Sequence, residues 1–172
     1  MNVWLFGYGS LIWRPDIGYL DRAPARINGW VRRFWQGSHD HRGVPDAPGR
    51  VVTLVREAGH CDGMAYLLDA DVVAATFDAL DVREKNGYQR FDLPIDFLSG
   101  ETQPGIVYVA PTGNHAYLGP APLVEMAQQI RRSHGPSGAN SDYLFDLADA
   151  LRSLDVSDEH VFELELAVRE MG

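Results

Sequence analysis

Val3-Trp4-Leu5-Phe6-Gly7-Tyr8-Gly9-Ser10-Leu11-Ile12 opens the chain with an apolar run that stops at two glycines flanking one aromatic. Such a run reads as a strand, and the break after it reads as a loop whose backbone a small ligand can approach, because glycine has no Cβ and tolerates positive φ. The next residues decide the fold class. A nucleotide-binding βαβ unit would continue into a long helix and carry a third glycine, but here Trp13-Arg14-Pro15 follows and no helical period appears. No Gly-Lys-Ser/Thr phosphate loop occurs in the chain, and Ser10 lacks the spacers of a nucleophile elbow. Taken alone, the loop fits a tight turn and an N–H cradle for a carboxylate or carbonyl oxygen equally well.

Outward from this segment the chain continues in strands. Ala25 to Gly37 carries Ile27, Trp30, Val31, Phe34 and Trp35. Val51 to Arg56 and Gly63 to Leu68 follow as a predicted hairpin, separated by the polar stretch Glu57-Ala58-Gly59-His60-Cys61-Asp62. Tyr88 to Phe97 alternates Phe91, Leu93, Ile95 and Phe97, the period of a half-buried strand, and Ile106 to Ala110 reads as its neighbour. Helices are expected after Asp71, which can cap a segment bearing Val72, Val73, Thr76, Phe77 and Leu80. Two more are expected over Ala121 to Ser133 and Ser141 to Leu154. Asp158 to Met171 fits either period; Ser157 as N-cap and the early acidic residues favour a helix. Strands first and helices later indicate an α+β chain, and so many strands close most economically into a compact mixed β-barrel with flanking helices.

With 172 residues, one domain over 1–172 is expected, with a core that needs no disulfide. The lone Cys61 and the absence of an apolar segment of targeting or spanning length suggest a cytoplasmic setting and no membrane association. A net charge of -9 argues against nucleic acid as a partner but not against an anionic small molecule. Arg32, Arg33, Arg42, Arg50 and Arg56 crowd one stretch, where the balance favours a solvated strand face over a ligand patch. No obligate protein partner is evident.

Glu84 is the sharpest candidate for chemistry. It precedes Lys85-Asn86-Gly87, a break between a helix pattern and a strand. A helix-end glutamate is commonly solvated, but one held in a dry pocket has its pKa raised and can exchange protons near neutrality. His39-Asp40-His41 could offer two imidazoles to a metal, but no third ligand stands at suitable spacing. Cys61 beside His60 resembles a thiol dyad, although adjacent turn residues seldom point together. Tyr143 reads as a core or boundary residue.

Phe6-Gly7-Tyr8-Gly9-Ser10-Leu11 resembles the signature of the ChaC family, the glutathione-specific γ-glutamylcyclotransferases. Further blocks resemble the same family in the same order. They are Arg33-Phe34-Trp35-Gln36-Gly37-Ser38 with His41-Arg42-Gly43, Pro48 to Leu54, Arg83 to Tyr88, Tyr117 to Ala121, Gly135 to Asn140, and Asp158-Glu159-His160. The spacing is nearest to the short, constitutive-type members. The resemblance implies a γ-glutamylcyclotransferase-like fold and cleavage of reduced glutathione to 5-oxoproline and Cys-Gly, with no cofactor and no metal. It also implies that Gly7, Tyr8, Gly9, Ser10, Leu11 and Ile12 cradle the γ-glutamyl group and that Glu84 is the base. Asn86 stands where family members often carry glycine, and asparagine tolerates the left-handed conformation. For the Cys-Gly end, Arg42, Arg50, Gln36 and Tyr143 are candidates on hydrogen-bonding capacity. The same chemistry on another γ-glutamyl amine or dipeptide, and a non-catalytic γ-glutamyl-binding regulator related to cation transport, remain as alternatives.

Overall fold

A computed structural model describes residues 1–171 of the chain. Five strands close into a barrel in the order β1-β3-β2-β4-β5: β1 (Val3–Gly7), β2 (Asp21–Ser38), β3 (Gly49–Leu68), β4 (Gln89–Phe97) and β5 (Thr102–Val109). Neighbours run antiparallel except at the closure, where β1 pairs parallel with β5 through Leu5 and Ile106. Closure removes the open edges that so many strands would otherwise expose.

The apolar run of β1 and the alternation read in β4 follow from this geometry. In β1, Phe6 joins the core shared with the later helices, while Leu5 joins the layer beneath helix α1 (Val73–Arg83). Helices α2 (Leu123–Arg132), α3 (Asn140–Ser153) and α4 (Glu159–Glu170) pack on one another and on the barrel through Ile130, Leu144, Leu147, Val161 and Leu164. Two two-residue strands, β6 (His134–Gly135) and β7 (Gly138–Ala139), pair between α2 and α3. No helix among the described residues is long and apolar enough to cross a membrane.

Several expectations need correction. Residues 57–62 are not a hairpin turn but part of the continuous β3. Ile27 to Asn28 of β2 pairs with Cys61 to His60, and a register shift between Asn28 and Trp30 absorbs the irregularity. The polar composition reflects exposure of residues 57–60 in the middle of the strand rather than a reversal. The two expected strands therefore merge into one. Asp71 is not a cap, since Val72 holds that position without a side-chain hydrogen bond and is itself exposed. The cap of α4 is Asp158, whose carboxylate accepts from the Val161 N–H at 3.1 Å; Ser157 lies one residue too early. The arginine-rich stretch is not one solvated face: Arg32, Arg42 and Arg50 are buried and Arg33 is half-buried, and only Arg56 is exposed as expected.

A second bulge, in β2, prepares the site. Arg33 pairs with Thr53 and Gln36 with Val51, so Phe34 and Trp35 face the single residue Val52. The displaced backbone groups find partners elsewhere. Phe34 N–H donates to His160 Nε2 at 3.0 Å, and Phe34 O accepts from Arg50 Nη1 at 2.9 Å. Val52 is served by two tyrosines: its N–H donates to the Tyr143 hydroxyl at 3.3 Å, and its carbonyl accepts from the Tyr88 hydroxyl at 2.6 Å. His160 must remain neutral to accept, and burial pushes its pKa down to about 4.

Asn140 ties α3 to the barrel. Fully buried, it accepts from Arg50 N–H and donates to Arg50 O, both at 2.8 Å. Asn140→Ala leaves both groups without a partner and is expected to cost about 2–6 kcal/mol, at about 1–3 kcal/mol per group. Denaturant unfolding checks this; a loss below about 1 kcal/mol would mean that water replaces the amide.

Candidate active site

Beyond β1 the chain turns sharply. Ile12 N–H donates to Gly9 O at 2.9 Å and Arg14 N–H to Ser10 O at 2.7 Å, making one helical turn. The N–H groups of Gly9, Ser10 and Leu11 donate to no acceptor among the described residues. Neither Gly7 nor Gly9 has positive φ. What the turn requires is the missing Cβ: at Gly7 it would meet Leu11 Cβ at 2.7 Å, and at Gly9 it would meet Val52 Cγ2 at 2.9 Å and the Tyr143 hydroxyl at 3.0 Å.

Glu84 reaches the same place from the far end of α1, as its C-cap residue. The turn behind it is clamped. Gly87 takes φ +94°, and a Cβ there would strike the side chains of Asn114 and Gln36. Gln36 Nε2 donates to Asn86 O at 2.9 Å, and Asn86 Nδ2 to Gly37 O at 2.9 Å. The left-handed residue is thus Gly87, not Asn86, whose amide instead bridges to β2. Arg83 links helix end to loop. Its Nη2 donates to Ser10 Oγ at 2.9 Å and to Arg14 O at 2.7 Å, and its Nη1 donates to Pro15 O at 3.0 Å.

These elements enclose two adjoining cavities. The inner one, about 40 Å³, is lined by Tyr8, Gly9, Ser10, Leu11 and Val52 together with Glu84, Tyr88, Tyr108 and Tyr143. The outer one, about 320 Å³, shares Ser10, Glu84, Tyr88 and Tyr143 and adds Arg14, Asp40, His41, Arg42 and Arg83, among others. Glu84 stands where they meet, with its side chain 18% exposed. Burial raises its pKa above the ordinary carboxylate value, against the opposing pull of Arg83 (Nε–Oε1 3.9 Å) and His41. The tyrosine hydroxyls around it are held neutral by burial above all, with the nearby carboxylate adding to the effect. Tyr8 donates to Tyr108 O.

Of the loop residues singled out by sequence, Tyr8, Gly9, Ser10 and Leu11 line the inner cavity. Gly7 ends β1 opposite Met64, and Ile12 packs into the core. Arg42 and Tyr143 line the outer cavity, with the guanidinium 5.7 Å from the ring centroid. Burial, and then the like charge of Arg14, pushes the Arg42 pKa down. Arg50 and Gln36 do not line it: Arg50 donates to Phe34 O, Gly119 O and Gln129, and Gln36 braces the Asn86–Gly87 turn. His39 and His41 turn to different partners, Asn86 and Ser137. Cys61 is buried with its thiol pKa pushed up to about 12 by desolvation, unsuited to a thiolate. Arg83, Arg14, Asp40 and Tyr88 escape a sequence reading, because nothing local distinguishes them from surface or core residues.

The sequence and the fold both match known proteins. The chain is 44% identical over 183 residues to γ-glutamylcyclotransferase 2-3 of Arabidopsis thaliana, covering 99% of this chain and 90% of that protein. It is 41% identical over 176 residues to glutathione-specific γ-glutamylcyclotransferase 1 of Danio rerio, covering 97% and 89%. The crystal structure of a yeast γ-glutamylcyclotransferase specific to glutathione matches with a TM-score of 0.92 at 30% identity, covering 98% of this chain and 96% of that one. The family model described as ChaC-like protein matches residues 3–171. The chain belongs to the ChaC-like family.

Proposed function

We propose that this protein is a glutathione-specific γ-glutamylcyclotransferase, converting reduced glutathione to 5-oxoproline and Cys-Gly in the cytoplasm, with the 172 residues acting as one unit. The observation that carries the reading is Glu84, partly dehydrated, across a cavity from a loop whose N–H groups donate to no acceptor among the described residues. The lone, buried Cys61 supports a reducing setting.

The substrate brings its own nucleophile. Its γ-glutamyl α-amine is protonated at neutral pH and cannot attack until a base takes a proton; Glu84 is that base. The freed nitrogen forms a bond to the γ-carbonyl carbon, closing a five-membered ring, and the carbonyl π pair moves onto oxygen. Collapse re-forms the carbonyl and breaks the bond to the cysteine nitrogen, which receives the proton held by Glu84; the second proton of the ring nitrogen follows through the same carboxylate, leaving a neutral lactam and Cys-Gly as its ammonium. Backbone N–H donors of the Tyr8–Leu11 loop face the developing oxyanion, and Tyr143 and Tyr88 close the wall around the folded substrate. Holding the amine and carbonyl in the ring-closing conformer is itself worth about 7–11 kcal/mol in well-aligned intramolecular systems. Arg42 and Arg14 on the outer wall supply positive charge for the glycine carboxylate.

A panel of γ-glutamyl donors tests the substrate. Reduced glutathione is expected to exceed γ-Glu-Ala and γ-glutamyl-lysine in kcat/KM by at least about tenfold, the value of one charge-assisted contact. Equal rates would mean that the outer cavity does not read the Cys-Gly tail.

A further inference from the structure

Arg32 is an unusual presence in β2. Its side chain is fully buried, and its three polar partners all lie at long range in sequence. Nε donates to Tyr8 O at 2.8 Å, Nη1 to Asp158 Oδ2 at 2.5 Å, and Nη2 to Asp62 O. A buried ion pair seldom stabilises a fold more than apolar side chains of the same volume would. The arrangement therefore calls for a use beyond stability.

The bond to Tyr8 supplies one. The chain contains no cis peptide bond among its described residues, so the Tyr8 carbonyl and the Gly9 N–H point in opposite directions from one planar unit. With the carbonyl fixed on the guanidinium, the Gly9 N–H is turned away from Arg32. Gly9 lines the inner cavity with Glu84, whereas Arg32 does not line it, and the Gly9 N–H has no acceptor among the described residues. A charged donor on the carbonyl also polarises the peptide and strengthens its N–H as a donor. Asp158 anchors the guanidinium from the start of α4, where it also caps the helix.

The geometry points to Arg32 as a positioning residue for catalysis, orienting and polarising the Tyr8–Gly9 peptide so that the Gly9 N–H stabilises the oxyanion of the tetrahedral intermediate. Arg32 touches no substrate and acts through that peptide. The same oxygen becomes the lactam carbonyl of 5-oxoproline, so the Gly9 N–H also donates to the product.

This inference rests on the cyclotransferase reading, and parent protein assayed alongside separates the two: absence of product from the parent overturns that reading instead. Arg32→Lys keeps the charge, but one ammonium group cannot satisfy the acceptors that the guanidinium fork spans. With reduced glutathione the variant is expected to lose at least about tenfold in kcat, with KM within about threefold and the acid limb of the pH–rate profile unmoved because Glu84 is untouched. A folded Arg32→Lys with kcat within threefold of the parent overturns the inference, as does a loss confined to KM. A second measurement needs no variant. Saturating 5-oxoproline should slow hydrogen exchange at the Gly9 amide of the parent by at least about tenfold, and unchanged exchange at saturation overturns the assignment.

Discussion

Glu84→Gln is expected to leave a folded protein that turns over reduced glutathione about 10³-fold more slowly than the parent, with little change in KM. Glutamine matches the shape of glutamate and can hydrogen-bond, but it cannot take the proton from the α-amine. The loss belongs in kcat because proton removal occurs in the barrier rather than in binding. Stability separates this outcome from damage to the fold. Burial raises the Glu84 carboxyl above its ordinary value, so between the two values the folded protein retains a proton that the unfolded chain has released. In that window stability falls as pH rises, and above the raised value the full cost of an ionised, dehydrated carboxylate is present. Glutamine carries no such cost. The melting temperature of Glu84→Gln at pH 7 is therefore expected to equal or exceed that of the parent, and a lower one would mean that Glu84 serves the fold.

Gly9→Ala is expected to reduce kcat/KM by about 10²-fold through a single methyl group. The added carbon would lie 2.9 Å from Val52 Cγ2 and 3.0 Å from the Tyr143 hydroxyl. Neither can yield easily. Val52 is β-branched and stiff, and Tyr143 is buried with its hydroxyl accepting from Val52 N–H. Relief requires the loop to shift, carrying the Ser10 and Leu11 N–H groups away from the cavity, and such overpacking costs about 1–3 kcal/mol of stability. Steady-state kinetics with reduced glutathione, together with a melting curve, check both effects. Activity within about threefold of the parent would show that substrate does not approach this backbone.

What could be read from sequence, and what could not, divides along physical lines. The β1 run, the glycine break and the alternation of β4 are local patterns, and a period of two survives whichever strands become neighbours. Glu84 could be singled out because the Lys85-Asn86-Gly87 break places it at an element end, and Gly87 does take the left-handed conformation there. Residues 57–62 misled because polar side chains on an exposed ribbon resemble a turn, and only pairing with β2 distinguishes them. The arginines misled for a related reason. Arg32, Arg42 and Arg50 are buried because their partners, Tyr8 O, Ala139 O and Phe34 O among them, lie 16 to 97 residues away. No local composition announces such acceptors. The dryness around Glu84 is likewise a tertiary product, assembled by Tyr8, Tyr88, Tyr108 and Tyr143 from four separate parts of the chain.

The most direct test incubates purified parent and Glu84→Gln protein with reduced glutathione and follows 5-oxoproline and Cys-Gly by mass spectrometry. Equimolar appearance of the two products from the parent, and about 10³-fold less from Glu84→Gln, is the expected result. Turnover by folded Glu84→Gln within about tenfold of the parent would contradict the role of Glu84 as the base, and a folded parent that releases neither product would contradict the reaction itself.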